Sequence, residues 1–266
     1  MVKCQDVLNT LEAWAPKKLA EEWDNPGLLV GSPQQEVQKI ITCLDCSEAV
    51  ADAAIEQGAQ LIVAHHPLIF RGIKKVRTDL AMGSLLQKLL KNDIAVIAVH
   101  TNLDSAPGGV NDVLAESIGL VDVEGFGEEH EVSGVVGTLG RMGHLPESLS
   151  AHDFAMRVRD ALPTEHVRLV EAGIKKVRKV ALCSGAGAEF IHLAALQGAD
   201  AYLTGDVKYH EAQQAVELGI HLVDAGHFGT EFPIAKVLCE RLSESFSEQG
   251  VRVVADDFSK DFFEII

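Results

Sequence analysis

The chain has 266 residues, 47% of them apolar and 23% charged, with a formal charge of −16. That balance is typical of a globular protein able to bury a sizeable core. It excludes non-specific attachment to nucleic acid or anionic membrane, which needs clustered Lys and Arg; the tracts "IKKVRTD" and "IKKVRKV" are short and read as solvated strand edges or helix faces.

The N-terminus, "MVKCQDVLNTLEAWAPKKLAEEWDNPG", alternates charged with apolar residues and has no leader-like apolar stretch. No run approaches the ~18–20 apolar residues of a membrane span. Five scattered cysteines do not make a disulfide framework. The expectation is a cytoplasmic, reduced protein whose core, with aromatics at 5%, is built from Ala, Val, Leu and Ile.

Strand-like and helix-like segments then alternate. "VQKIITCLD" is a β-branched run, "SEAVADAAIEQGA" a helix closing near Gly58, and "QLIVAHH" a strand. "LAMGSLLQKLLKND" has helical periodicity, and "IAVIAVH" is again a strand. Such alternation means βαβ units and a mainly parallel sheet, an α/β fold.

The second half repeats the order. "VRKVALCSGAGAEFIHLAALQGADAYLTGD" aligns without a gap on "VQKIITCLDCSEAVADAAIEQGAQLIVAHH" at an offset of 140 residues. Val37, Lys39, Cys43, Ala54, Gln57, Gly58 and Ala59 fall on Val177, Lys179, Cys183, Ala194, Gln197, Gly198 and Ala199. Farther on, His100 with Asp104 in "VHTNLD" echoes His227 with Glu231 in "GHFGTE". The reading is two related α/β lobes from an internal duplication, residues 1–125 and 126–266. "VEGFGEEHEVSGVVGTLGRMGHLPES" alternates like hairpin strands, and "VRVVADDFSKDFF" is a candidate last strand returning to the first lobe.

The chemistry concentrates at strand ends. His65 and His66 are adjacent, and neighbouring side chains on a regular strand point to opposite faces. Either the strand ends there, as Pro67 favours, or the two rings serve two nearby points. In an open α/β sheet, ligands bind at the carboxyl ends of the strands. His65, His66, His100, Asp104, His227 and Glu231 are expected there. Imidazole with carboxylate suits Zn, Fe, Mn, Co or Ni. Six such groups exceed one tetrahedral ion and match two ions roughly 3.5–4 Å apart, each adjacent histidine serving a different ion.

"WDNPGLLVG", "AHHPLIF", "VHTNLD", "SGAG" with "GADAYLTGDVKYH", and "GHFGTE", in that order over nearly the whole chain, resemble the GTP cyclohydrolase 1 type 2-like family, also called the Ngg-interacting-factor-three-like family. The resemblance implies two related α/β lobes, a dinuclear metal centre between them and a toroidal homohexamer. It implies metal ligation by His65, His66, Asp104, His227 and Glu231, with His100 lining the same place. The connector here is too short for the large domain that some family members insert between the lobes.

Other residues carry weaker signals. Asp206 and His210 in "TGDVKYH" could orient a ligand, bind substrate or relay protons, or belong to a polar loop. Cys43 and Cys46 read as small buried residues rather than a redox or zinc pair. "SGAGAEF" reads as a tight strand-to-helix turn rather than a dinucleotide cradle.

Two functions of different class follow. One is a metal-dependent hydrolase, with two divalent ions activating water and His100 or His210 relaying protons; the family resemblance points to GTP or a related nucleotide as the small-molecule substrate. The other is a non-catalytic metal carrier or insertion factor.

Overall fold

The structure, a computed structural model, describes all 266 residues. Its strands are β1 (Val2–Lys3), β2 (Gly27–Val30), β3 (Glu36–Val37), β4 (Lys39–Cys43), β5 (Leu61–Ala64), β6 (Ala95–Ala98), β7 (Val121–Val132) and β8 (Val135–Leu149). There follow β9 (Arg168–Val170), β10 (Val177–Leu182), β11 (Ala201–Thr204), β12 (His221–Asp224) and β13 (Arg252–Ala255). The fold is mixed α/β, and the chain divides into two compact units, residues 1–103 with 234–260 and residues 104–233 with 261–266.

In the first unit a five-stranded sheet runs β13-β4-β5-β6-β2. Its four neighbours β13, β4, β5 and β6 are parallel, and β2 closes one edge antiparallel. Every residue of β5 and β6 is buried, as expected of parallel strands covered on both faces. The helix Glu48–Glu56 starts where the Ser47 hydroxyl accepts from the Val50 N–H, and it buries Val50, Ala51 and Ala54 on one stripe. The helix Ala81–Lys91 buries Leu85, Leu86 and Leu89 in the same manner. These side chains meet Ile41, Ile62 and Val96 of the sheet in one core, each buried Leu contributing about 1.5–3 kcal/mol.

The second unit holds a six-stranded sheet, β7-β8-β10-β11-β12-β9, in which β10, β11 and β12 are parallel. The "VEGFG…HLPES" stretch is the hairpin β7–β8 at its edge. Ser133 and Gly134 turn it with φ of +54° and +82°, the left-handed pair that a two-residue hairpin turn requires.

The units differ from the lobes read in the sequence. Residues 104–125, which the sequence groups with the first lobe, lie in the second unit. The reason is packing: the helix Val110–Ser117 buries Leu114 and Ala115 against Phe154, Val158 and Val180. The last strand, β13, pairs in parallel with β4 of the first unit, Val253 opposite Ile40.

Candidate functional site

The parallel strands of the first unit end at one edge of its sheet, and polar residues follow each of them. Asp45 comes just after β4, His65 and His66 directly after β5, and His100 just after β6. Because β2 runs antiparallel to β6, with Gly27 opposite Ala98, the residues leading into β2 arrive at that same edge. They are Trp23, Asp24 and Asn25.

Strand β5 stops at Ala64, so the alternation that would separate two neighbouring histidines no longer applies. The rings of His65 and His66 lie 5.1 Å apart, and His100 completes the triangle at 5.2 and 5.6 Å. Their ligand nitrogens fall within 4.8 Å of one another.

Each ring is held by its Nδ1. In His65 that atom lies 2.8 Å from the Val99 carbonyl, in His66 2.9 Å from Asp45 Oδ1, and in His100 2.8 Å from Asp24 Oδ1. A carbonyl or ionised carboxylate only accepts, so the proton sits on Nδ1 and the lone pair on Nε2. Three imidazoles held by Nδ1 in this way, backed by oxygen acceptors, offer a donor set suited to a divalent cation.

Asp24 is the best-anchored of these acceptors. Its side chain is fully buried beside a ring that is itself largely covered. Burial alone would raise its pKa. The hydrogen bonds from His100, Thr101 and the Asn25 N–H, with the electrostatic attraction of His100, outweigh burial and hold it at about 2. The Thr101 hydroxyl donates to Asp24 Oδ2 at 2.5 Å and accepts from the Glu21 N–H.

In the second unit the helix His227–Glu231 follows β12. His227 Nδ1 lies 2.7 Å from Asp206 Oδ2, and its Nε2 lies 3.1 Å from Glu231 Oε2. The Glu231 carboxylate is buried. Gly185, in the loop after β10, makes room for it: a Cβ there would come within 2.2 Å of Glu231 Oε1 and 3.1 Å of His227 Nε2. The "SGAG" loop is thus a tight turn shaped around an acid–imidazole pair, with the Gly185 N–H donating to the Thr230 hydroxyl. Asp104 is buried, and its backbone carbonyl accepts from the Asn111 amide.

His210 is exposed in the first turn of the helix Tyr209–Leu218, beside Tyr209 and Gln213. Burial disfavours the thiolate at three of the cysteines. Cys43, Cys46 and Cys183 are free and buried, and burial pushes Cys46 up to about 12 and the other two well above the ordinary thiol range.

Two orienting acids escape a reading of the sequence. Asp45 and Asp24 lie 21 and 76 residues from the histidines they hold. The one available signal is an acid just beyond a strand end, which Asp45 shares with Asp206.

Comparison with known proteins places the chain. The family model described as Duf34/NIF3 (NGG1p interacting factor 3) matches residues 2–261. A protein of Clostridium perfringens called GTP cyclohydrolase 1 type 2 homolog is 34% identical, with both chains covered completely. One of the same name from Clostridium acetobutylicum is 33% identical over 94% of this chain and 93% of that one. Among solved structures, the Bacillus cereus protein related to NIF3 superposes with a TM-score of 0.91 at 28% identity, covering 100% of this chain and 99% of that one. Reduced HcgD from Methanocaldococcus jannaschii superposes with a TM-score of 0.79 at 30% identity, covering 97% and 98%. The chain belongs to the DUF34/NIF3 family.

Proposed function

We propose that this protein is a dinuclear divalent-metal protein acting as a metal-dependent hydrolase on GTP or a related nucleotide. His65, His66, Asp104, His227 and Glu231 would hold the ions, iron, zinc, manganese, cobalt or nickel all suiting that donor set. The duplication read in the sequence belongs to the same proposal: His100 with Asp104 and His227 with Glu231 each lie at the start of a short helix after a strand. So does a ring-shaped homohexamer.

The observation that carries the reading is the common anchoring of Nδ1. Four histidines, His65, His66, His100 and His227, each have Nδ1 against an oxygen acceptor. At the ligands His65, His66 and His227 that is the arrangement of metal-bound imidazoles with an outer shell; at His100 it leaves Nε2 for proton transfer. A bound pair of divalent ions supplies Lewis acidity and makes water nucleophilic near neutral pH. His100 is the relay: Asp24 keeps its Nδ1 proton in place, and Nε2 takes up and returns protons.

Elemental analysis of protein purified without chelator tests the metal. About two ions per chain are expected, lost in both His65→Ala and Glu231→Ala with the fold intact. Formate released from GTP by the metal-loaded protein tests the reaction. Metal that passes readily to an acceptor, with no turnover on a broad hydrolase panel, would instead mark a carrier. A solution mass other than six chains would overturn the ring.

A further inference from the structure

Two large aromatic side chains stand exposed beside His100. Trp23 is 58% and Phe70 43% exposed, in a chain with only two tryptophans; the other, Trp14, is buried. The two rings meet edge to face at 5.7 Å, and each meets His100 the same way, Trp23 at 6.1 Å and Phe70 at 6.2 Å. Edge-to-face contact suits the charge distribution of such rings. It also leaves the indole open to solvent.

The segment that carries the indole is braced on its C-terminal side. Asp24, the next residue, is fixed by His100 and Thr101. The Asn25 amide donates to the Ile69 carbonyl at 2.6 Å, tying the Trp23 segment to the Phe70 segment. An exposed aromatic pair on a braced backbone, at the rim of a cluster of ligand-type imidazoles, has the form of a binding wall.

The neighbouring charge narrows the occupant. Arg71, Lys74, Lys75 and Arg77 follow Phe70 within seven residues of a chain whose net charge is −16. Arg77 is paired with Asp79, whereas Arg71, Lys74 and Lys75 are exposed. Exposed cations that follow an aromatic wall in the sequence complement a flat ring that bears an anionic group.

The geometry points to Trp23 and Phe70 as the wall on which a planar heteroaromatic ring stacks beside His100, with Arg71, Lys74 and Lys75 receiving its phosphate. This assigns the substrate-recognition residues of the centre proposed above and rests on that reading for its biological meaning. Its binding test does not depend on metal.

Calorimetric titrations in the presence of chelator would use guanosine monophosphate, guanosine and ribose 5-phosphate as probes. The monophosphate should bind most tightly and quench tryptophan fluorescence. Trp23→Leu and Phe70→Leu should each weaken its binding about tenfold, the scale of one stacked base, while leaving ribose 5-phosphate unchanged. Replacing Arg71, Lys74 and Lys75 together by Ala should weaken both phosphate-bearing probes. Unchanged monophosphate affinity in both aromatic variants would overturn the inference, as would ribose 5-phosphate binding as tightly as the nucleotide. A lower solution mass for Trp23→Leu would also overturn it, by showing that the wall is a contact between copies. Stacking without bound metal or turnover would leave this inference standing and remove the hydrolase reading. Turnover indifferent to Trp23 and Phe70 would do the reverse.

Discussion

Asp24 Oδ1 lies 2.8 Å from His100 Nδ1, across 76 residues of sequence. The pair exists because β2 runs antiparallel to β6 and brings its leading residues to the strand end that His100 follows. The carboxylate touches the proton that fixes His100's tautomer, so its loss should be felt in stability and in the imidazole's orientation.

Asp24→Asn should destabilise the protein by about 2 kcal/mol at neutral pH, the free energy of lowering a carboxyl from 3.8 to about 2. A depressed pKa stabilises the fold fully above the unfolded value and loses that contribution as pH falls through the folded one. The gap between wild type and variant should therefore close from pH 4 towards pH 2. Urea unfolding at several pH values measures it, and a gap independent of pH would refute the account.

Metal content should separate His100 from its neighbours. His100→Ala should keep most of the bound metal and lose most of the hydrolysis, as befits a relay. His65→Ala should lose both. Elemental analysis beside an activity assay reads the difference, and equal metal loss in the two variants would make His100 a ligand.

Asp206 holds His227 by its Nδ1 at 2.7 Å. Asp206→Asn keeps the shape but weakens the acceptor and admits the wrong tautomer. Metal affinity should fall roughly 10- to 100-fold, with little change in melting temperature because Asp206 is exposed. Competition with a metal-responsive chelator measures the affinity, and an unchanged value would leave Asp206 without a role.

Gly185 sits at φ +59° with the Glu231 carboxylate where a Cβ would go. Gly185→Ala should cost more than about 1 kcal/mol from backbone conformation alone, and it should displace Glu231. A melting temperature and metal content both equal to wild type would contradict this. Gly198 offers the control: it also has positive φ, but nothing lies within 4 Å of the added methyl. Its substitution should carry the backbone cost without loss of metal.

Much of the site was legible before the fold. The strands just before His65 and His100, LIVA and AVIA, are short apolar runs rich in β-branched residues and alanine, which read as buried strands whatever surrounds them. The positions after them follow from the rule that α/β sheets gather ligands at strand ends. Asp45 and Asp24 were not legible as His66's and His100's acceptors, because a lone acid carries no periodicity and its partner is chosen by strand pairing.

Local chemistry in the sequence determined the secondary structure, the α/β class and the ligand-type residues of the strand-end loops, because periodicity, β-branching and residue type act over a few neighbours. The tertiary structure decided which acid orients which histidine, that residues 104–125 pack with the second unit, and that Trp23 and Phe70 flank His100. Those facts depend on sheet order and on the burial of Leu114 and Ala115, which bring together residues far apart in the chain.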